Sequence, residues 1–139
     1  MQQEVKVKKL IGRREKVDFP DLGLVGINAK VDTGAYRSAL HCQDIYIKEI
    51  NGEKILCFKI SDQEHEHRFS SFLIKEIKNS FGVPEKRFVI KTKVKVAGRT
   101  INTSISLTDR GNMRYPVLMG RKLLRNRFIV DVSKVNLWQ

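Results

Sequence analysis

Apolar and polar residues alternate along most of the chain, and this alternation predicts β-strands. In residues 25–31 and 101–107 every second position is apolar or threonine, which is the period of a strand with one buried face. The dipeptides Asn51-Gly52 and Ala97-Gly98 each separate two such segments and predict tight hairpins. The simplest fold with this pattern is a β meander.

The alternation breaks in two places. Residues 61–84 combine the polar run SDQEHEHR with FLIKEI and NSFG and show no single period, which predicts a long loop or an excursion from the barrel. Near the C-terminus, PVLMGRKLLRNRFIVD predicts a buried strand, a short helix from about Arg121 to Asn126, and a further strand. We therefore expect an all-β fold with one short C-terminal helix, in a single domain over residues 1–139.

Basic residues outnumber acidic residues by 27 to 15 and give a formal net charge of +12. This charge favours anionic partners. Lys91, Lys93 and Lys95 fall on every second residue of KTKVKVAG, so a solvated strand face is the first interpretation and a nucleic-acid stripe the second. Because no nucleic-acid motif accompanies the charge, nucleic acid is the less favoured partner.

The N-terminal residues MQQEVKVKKL interleave charges with valine. They lack the continuous apolar run of a signal peptide or membrane span, so we expect a cytoplasmic protein with no membrane partner. The two cysteines, Cys42 and Cys57, have neither close pairing nor Cys-x-x-Cys spacing. Buried free thiols are therefore favoured over a disulfide.

The segment NAKVDTGAYRSAL ends an apolar strand on Asp32, Thr33 and Gly34. A carboxylate at such a position loses hydration unless neighbouring groups fix it. Gly34 allows a tight turn that brings backbone amides close to the carboxylate, Thr33 adds a hydroxyl, and Ala35 keeps the approach narrow. The pattern is compatible with an ordinary turn that closes a strand and with a reactive carboxylate.

A reactive Asp32 needs a second carboxylate. Two carboxylates about 3 Å apart share one proton, so that one deprotonates a water molecule while the other protonates a peptide carbonyl. The chain contains a single Asp-Thr-Gly and no Asp-Ser-Gly, and it is too short for two lobes. The sequence therefore predicts a two-fold homodimer in which Asp32 of each copy lies on the axis.

Two ordered motifs carry a resemblance to a known family. Asp-Thr-Gly-Ala at 32–35 and the downstream PVLMGRKLL resemble the active-site segments of retropepsin-like aspartic proteases. With IGRREKV, AKVDTGAYRSALH, NSFG, LTDRGNMRYPVLMGR and FIVDV, the chain is most similar to a bacterial and archaeal family of such domains. That family carries the label ATP-dependent zinc protease and is found near ATP-grasp glutamate ligases. The resemblance runs from about Ile11 to Val132 and implies a closed retropepsin-like β-barrel.

The resemblance also implies roles for single residues in an aspartic peptidase that acts on a peptide or protein. Asp32 would be the catalytic carboxylate, Thr33 would grip the opposite turn across the dimer axis, and Gly34 would contact the substrate backbone. The further candidates for substrate binding are Ala35, Tyr36, Arg110 and Arg114. Arg110 and Arg114 are equally compatible with an exposed surface.

Arg121, in the pair Gly120-Arg121, would brace the active-site turn from the short helix. In retroviral enzymes the partner of this arginine is an acidic residue just after Asp-Thr-Gly-Ala, whereas this chain has Tyr36-Arg37 there. Asp109 and Asp131 are the candidate replacements. An ion pair between Arg121 and Asp109 could equally be structural.

The label of the similar family is not supported by ligand motifs in this chain. The sequence has no His-Glu-x-x-His, no cysteine pair at ligand spacing and no Gly-x-x-x-x-Gly-Lys, so neither zinc nor ATP is indicated. His65 and His67 would project from one face of a strand, with His41 as a third ligand, but the flanking charges favour a solvated loop. We expect no metal and no cofactor.

The flap region differs from that of retroviral enzymes, which close a glycine-rich hairpin over the substrate. Residues 61–84 offer only Gly82, so any lid must be built differently and substrate preference does not carry over. Two functions stay open. One is a peptidase acting on an acidic, glutamate-rich peptide, and the other is a non-catalytic binding module for an acidic protein or RNA.

Overall fold

A computed structural model of the chain describes residues 7–60, 63–78, 81–109 and 115–138. Its strands are β1 (Lys9–Gly12), β2 (Arg14–Phe19), β3 (Leu24–Val31), β4 (Ser38–His41), β5 (Gln43–Ile50), β6 (Glu53–Lys59), β7 (His67–Phe69), β8 (Leu73–Lys78), β9 (Pro84–Val96), β10 (Arg99–Thr108), β11 (Val117–Met119) and β12 (Phe128–Asp131). The helical elements are a 3-10 turn at Pro20–Leu22 and the helix α1 at Arg121–Leu124. Neither element has the length and apolar content that would let a helix cross a membrane.

Six strands close into a barrel, which confirms the expected all-β barrel. Their order is β10, β4, β11, β3, β2 and β9, and β9 pairs back onto β10. β11 lies between β3 and β4, parallel to β3 and antiparallel to β4. Because β11 comes from the far end of the chain, its insertion brings the end of β3 next to the residues that follow β11.

Both predicted hairpin turns are present. Asn51 and Gly52 have φ values of 51° and 79° between β5 and β6, and Ala97 and Gly98 have φ values of 52° and 74° between β9 and β10. Two consecutive positive φ values match the twist of the flanking strands. A positive φ is unfavourable for alanine, and the carbonyl of Ala97 gains a 2.7 Å hydrogen bond from Lys9 Nζ.

The expectation of a long loop over residues 61–84 is wrong for much of that segment. β7 joins β5 and β6 in a separate three-stranded sheet, and β8 pairs antiparallel with the first part of β9. We call β8 together with residues 81–89 the arm. Five of the six residues of β8 are exposed, so the strand has no buried face that would leave a period in the sequence.

β3 departs from the predicted alternation at its start. The pattern groups Val25 with the inward-facing residues, yet Val25 is 80% exposed and Leu24 is buried. Gly26 has a φ of 66°, and the pairing of β2 with β3 shifts register between Val17 and Phe19. This β-bulge changes which residues face the core.

The helix α1 begins at the predicted residue and ends two residues before the predicted end. Arg125 has φ −58° and ψ 130°, outside the helical region, and Asn126 has a positive φ of 65°. Leu123 and Leu124 are buried and anchor the helix against the barrel core.

Glu15 has a buried carboxylate that fastens the C-terminal segment to the barrel. It accepts hydrogen bonds from the backbone amides of Gly12 (2.8 Å), Leu137 (3.1 Å) and Trp138 (3.0 Å). The indole of Trp138 also donates to the Leu10 carbonyl at 2.7 Å. These amides replace the water that the carboxylate loses on burial.

Cys42 and Cys57 are buried and unbridged, as predicted. Burial raises the pKa of both thiols, and the charge of Asp109 raises the pKa of Cys42 further. Because a protonated, buried thiol is a poor nucleophile, we expect neither cysteine to react with iodoacetamide in the native protein at neutral pH. Both should react in urea, as read by intact mass. Rapid labelling of the native protein would contradict the buried placement.

Candidate active site

Asp32 follows the last residue of β3 and begins a turn over residues 32–35. Its backbone amide donates to the carbonyl of Met119 at 2.9 Å, which continues the pairing of β3 with β11 by one residue. The amide of Ala35 donates to the Asp32 carbonyl at 3.2 Å and closes the turn. The backbone of Asp32 is therefore fixed both by a neighbouring strand and by its own turn.

The carboxylate of Asp32 is held by the same turn. The Gly34 amide donates to Asp32 Oδ1 at 3.1 Å, and a Cβ on residue 34 would lie only 3.3 Å from that oxygen. Glycine thus permits the close approach of amide and carboxylate. Asp32 is partly buried, whereas Thr33 and Gly34 are exposed at the tip of the turn.

Arg121 braces this turn from the start of α1. Its Nη1 donates to the Thr33 carbonyl at 2.9 Å, and its guanidinium carbon lies 5.9 Å from the centroid of the Tyr36 ring. Its backbone amide donates to the Ala35 carbonyl at 2.8 Å. Three separate contacts therefore connect Arg121 to the residues around Asp32.

The guanidinium of Arg121 hydrogen-bonds to a carbonyl rather than to the carboxylates expected from the sequence, Asp109 and Asp131. Asp131 instead accepts hydrogen bonds from the Ser133 hydroxyl at 2.6 Å and the Ser133 amide at 2.9 Å, and these bonds lower the pKa of Asp131. A backbone carbonyl and an aromatic ring serve where a retroviral enzyme uses an acidic side chain. Tyr36, which supplies the aromatic ring, follows Asp-Thr-Gly-Ala directly, where a retroviral enzyme has the acidic residue.

Gly120 allows α1 to approach the turn closely. A Cβ at this position would lie 2.7 Å from the carbonyl carbon of Arg37 and 2.8 Å from the carbonyl oxygen of Tyr36. The Gly120 amide donates to Ser38 Oγ at 3.0 Å, and the Lys122 amide donates to the Tyr36 carbonyl at 2.9 Å. The first residues of the helix thus bind directly to the backbone that follows the turn.

Replacing Arg121 with alanine should loosen the turn. The loss of one hydrogen bond and one cation–π contact should lower the free energy of unfolding by about 1–2 kcal/mol, as measured by urea denaturation. The matched control is Arg125→Ala, because Arg125 follows the same helix with an exposed side chain. Equal effects of the two substitutions would contradict a bracing role for Arg121.

A cleft of about 890 Å³ opens beside the turn. Five residues expected at the site from the sequence border it: Asp32, Gly34, Ala35, Tyr36 and Asp109. The proposed braces Gly120 and Arg121 do not line the cleft but lie behind the turn. Of the other three predicted residues, Thr33 is exposed at the tip of the turn and does not border the cleft, and Arg110 and Arg114 lie outside the described residues.

The arm supplies the part of the cleft that sequence reasoning missed. The cleft-lining residues of the arm are Ile77, Lys78, Phe81, Glu85, Lys86, Arg87 and Phe88. Arg87 pairs with Glu85 at 3.2 Å. The arm, which has no glycine-rich motif, therefore borders the same cleft as Asp32. Because five of the six residues of β8 are exposed, the sequence of this strand shows no alternation of apolar and polar residues that would reveal it.

Arg37 is a further cleft residue that the sequence reasoning did not single out. It borders the cleft directly after Tyr36, and its Nε atom is buried with no hydrogen-bond partner in the described structure. A buried guanidinium nitrogen without a partner costs free energy. The guanidinium of Arg37 also adds a positive charge at the border of the cleft.

The histidines considered as metal ligands do not border the cleft. His67 Nε2 and Gln63 Oε1 are 2.6 Å apart, and the rings of His65 and His67 pack edge to face at 4.6 Å. Burial lowers the pKa of His67, and the neighbouring His65 lowers it further. Within the described ranges no group of three or more His, Cys, Asp or Glu side chains is placed to hold a metal ion.

Comparison with known proteins gives a family match over most of the chain. Residues 10–138 match the RimB-like family, described as the retropepsin-like aspartic endopeptidase RimB. A Desulfotalea psychrophila protein named "Probable alpha-L-glutamate ligase" is 34% identical over 137 residues, and a Shewanella pealeana protein of the same name is 33% identical over 133 residues. These matches cover 94% and 91% of this chain but 29% of each relative, so the chain spans less than a third of the length of these relatives.

A solved structure has the same fold. The crystal structure of a Legionella pneumophila protein of unknown function superposes with a TM-score of 0.69 at 27% sequence identity. The match covers 94% of this chain and 98% of the Legionella chain.

Proposed function

Because the chain belongs to the RimB-like family of retropepsin-like aspartic endopeptidases, we propose that it hydrolyses peptide bonds as a homodimer. Asp32 of each copy contributes to one dyad that shares a proton. The dyad takes a proton from water and gives one to the carbonyl oxygen of the scissile bond. The water oxygen attacks the carbonyl carbon. The resulting adduct then returns a hydroxyl proton to the dyad and re-forms a carbonyl as its C–N bond breaks, and the dyad gives its proton to the leaving nitrogen.

The observation that carries this proposal is the position of Asp32. Its backbone follows β3 and is hydrogen-bonded to Met119 of β11, and its carboxylate accepts a hydrogen bond from the Gly34 amide. It also borders an open cleft. Rigid placement of a reacting group supplies much of the rate enhancement in enzymes. The exposure of Thr33 and Gly34 leaves the tip of the turn accessible to the same turn of a second copy, as a two-fold dyad requires.

The charges around the cleft favour an acidic substrate. Among the residues that the structure describes, four basic side chains border it, Arg37 near the turn and Lys78, Lys86 and Arg87 in the arm, and they outnumber the three carboxylates of Asp32, Glu85 and Asp109. The relatives are named for joining glutamate. We infer a peptide rich in glutamate as the substrate class, because carboxylate side chains match arginine and lysine at hydrogen-bonding distance.

The direct test is incubation of the protein with a synthetic oligoglutamate peptide and analysis of the products by mass spectrometry. Sedimentation velocity at the same protein concentration establishes whether the dimer is present. Release of shorter peptides in proportion to the dimer supports the proposal. An intact peptide in the presence of a verified dimer contradicts it.

Arg37→Gln should reduce cleavage of acidic peptides selectively. We expect kcat/KM for a glutamate peptide to fall by roughly 10- to 100-fold, the value of one charge-assisted hydrogen bond, while a glutamine peptide of equal length is much less affected. Arg125→Gln is the control because it removes one positive charge away from the cleft. Equal losses for the two peptides would contradict recognition of the substrate carboxylate by Arg37.

A further inference from the structure

A row of exposed lysines lies on the outer surface of the barrel, away from the cleft. Lys91, Lys93 and Lys95 on β9 are exposed, and the residues between them are buried. We call these three residues the lysine face. Their cross-strand partners on β10 are uncharged: Ser104, Asn102 and Thr100. None of these six residues borders the cleft.

Three further lysines extend the positive charge on both sides of the lysine face. Lys122 reaches it from α1, and its Nζ donates to Ser104 Oγ at 2.8 Å, directly across from Lys91. On the other side, β2 and β3 carry the exposed residues Lys16 and Lys30. The positive charge therefore comes from three neighbouring strands of the barrel, β9, β2 and β3, and from α1.

Two acidic residues lie near the lysine face. Asp18 of β2 is the cross-strand partner of Lys95 and accepts a 2.8 Å hydrogen bond from the Gly26 amide. Asp21 lies in the 3-10 turn that contacts β9. Lys91, Lys93 and Lys95 nevertheless form no ion pair with any residue the structure describes. Concentrated like charge destabilises a folded protein unless a partner compensates it.

We propose that the lysine face binds the phosphate backbone of duplex nucleic acid without reading its sequence. Alternate residues of a strand are about 6.8 Å apart, so the three ammonium groups can follow consecutive phosphates. The face and its paired positions on β10 carry no aromatic side chain, and the stacking that holds single-stranded bases is therefore lacking. Phosphate contacts alone position a duplex and carry no sequence information.

The regular spacing of the charges favours phosphate over an acidic protein as the partner. Lysine binds phosphate as a compact point charge, and phosphates repeat at a regular interval along a nucleic-acid strand whatever its sequence. None of the three lysines borders the cleft, so binding at the lysine face does not depend on peptidase activity.

The test compares two triple variants with the same net charge. The first is Lys91→Gln, Lys93→Gln and Lys95→Gln. The control replaces three exposed lysines elsewhere with glutamine, namely Lys48, Lys54 and Lys134. Binding of a short fluorescein-labelled RNA duplex of mixed sequence is measured by fluorescence anisotropy over a series of salt concentrations. Circular dichroism verifies that both variants are folded, since all six side chains are exposed.

The lysine-face variant should lose at least about tenfold in affinity, and the slope of log K against log salt should decrease by about one per lysine, or about three in total. The control should keep most of the affinity and most of the slope. Equal losses in both variants would overturn the proposal, because net charge alone would explain the binding. Unchanged duplex binding in the lysine-face variant, or loss of oligoglutamate binding alone, would overturn it as well.

Discussion

Asp32→Asn should abolish peptide hydrolysis, with a fall in kcat of about 10⁴-fold, the upper range for a positioned acid–base group. Asparagine keeps the size of the side chain and an oxygen that can accept the Gly34 hydrogen bond. It cannot take a proton from water or share one with its symmetry mate. The measurement is product formation from an oligoglutamate peptide by mass spectrometry, at a concentration where sedimentation shows a dimer.

The matched control for this substitution is Asp131→Asn. The Asp131 carboxylate accepts hydrogen bonds from Ser133 and does not border the cleft. Asp131→Asn should therefore leave kcat near that of the unmodified protein. Turnover that survives Asp32→Asn in a folded dimer would reject the dyad mechanism.

Glu15→Ala should produce the largest loss of stability among the substitutions considered. The change removes a buried acceptor that is shared by three backbone amides. Each unsatisfied buried donor costs about 1–3 kcal/mol, and the exposed end of the chain can recover part of this through water. We expect a loss of roughly 3–5 kcal/mol in the free energy of unfolding, as measured by urea denaturation.

Two controls separate the hydrogen bonds from the charge. Glu15→Gln keeps one acceptor oxygen and should lose less than alanine. Glu53→Ala removes an exposed carboxylate and should change stability by less than about 0.5 kcal/mol. A loss for Glu15→Ala as small as that for Glu53→Ala would show that the C-terminal segment does not depend on this carboxylate.

The strands and turns that the sequence predicted are those with local causes. Asn51-Gly52 and Ala97-Gly98 fix their hairpins through two adjacent residues. The alternation in the first half of β10 follows from one buried face, whereas both faces are buried from Ser104 to Thr108. β8 has no such face, and the bulge at Gly26 shows only when β2 is paired with β3. Features that depend on pairing with a neighbouring strand cannot be recognised in the sequence of a single segment.

The same distinction applies to the candidate site. The turn from Asp32 to Ala35 is encoded by adjacent residues and could be proposed from them. The hydrogen-bond partner of Arg121 could not be predicted in this way. It is the backbone carbonyl of Thr33, and every residue carries a backbone carbonyl whatever its side chain is. The cleft residues of the arm, such as Lys86, also come from the packing of distant segments. Sequence reasoning therefore predicted the Asp32 turn better than its surroundings.

The insertion of β11 between β3 and β4 determines when the Asp32 turn can first be completed during synthesis. Asp32 leaves the ribosome before the Met119 carbonyl that anchors it and the Arg121 guanidinium behind it, which are translated much later. Pairings between residues so far apart in sequence form late and slowly. A nascent chain that ends before β11 therefore lacks the anchored Asp32 turn, and the order of translation itself delays the formation of this turn until the barrel has closed.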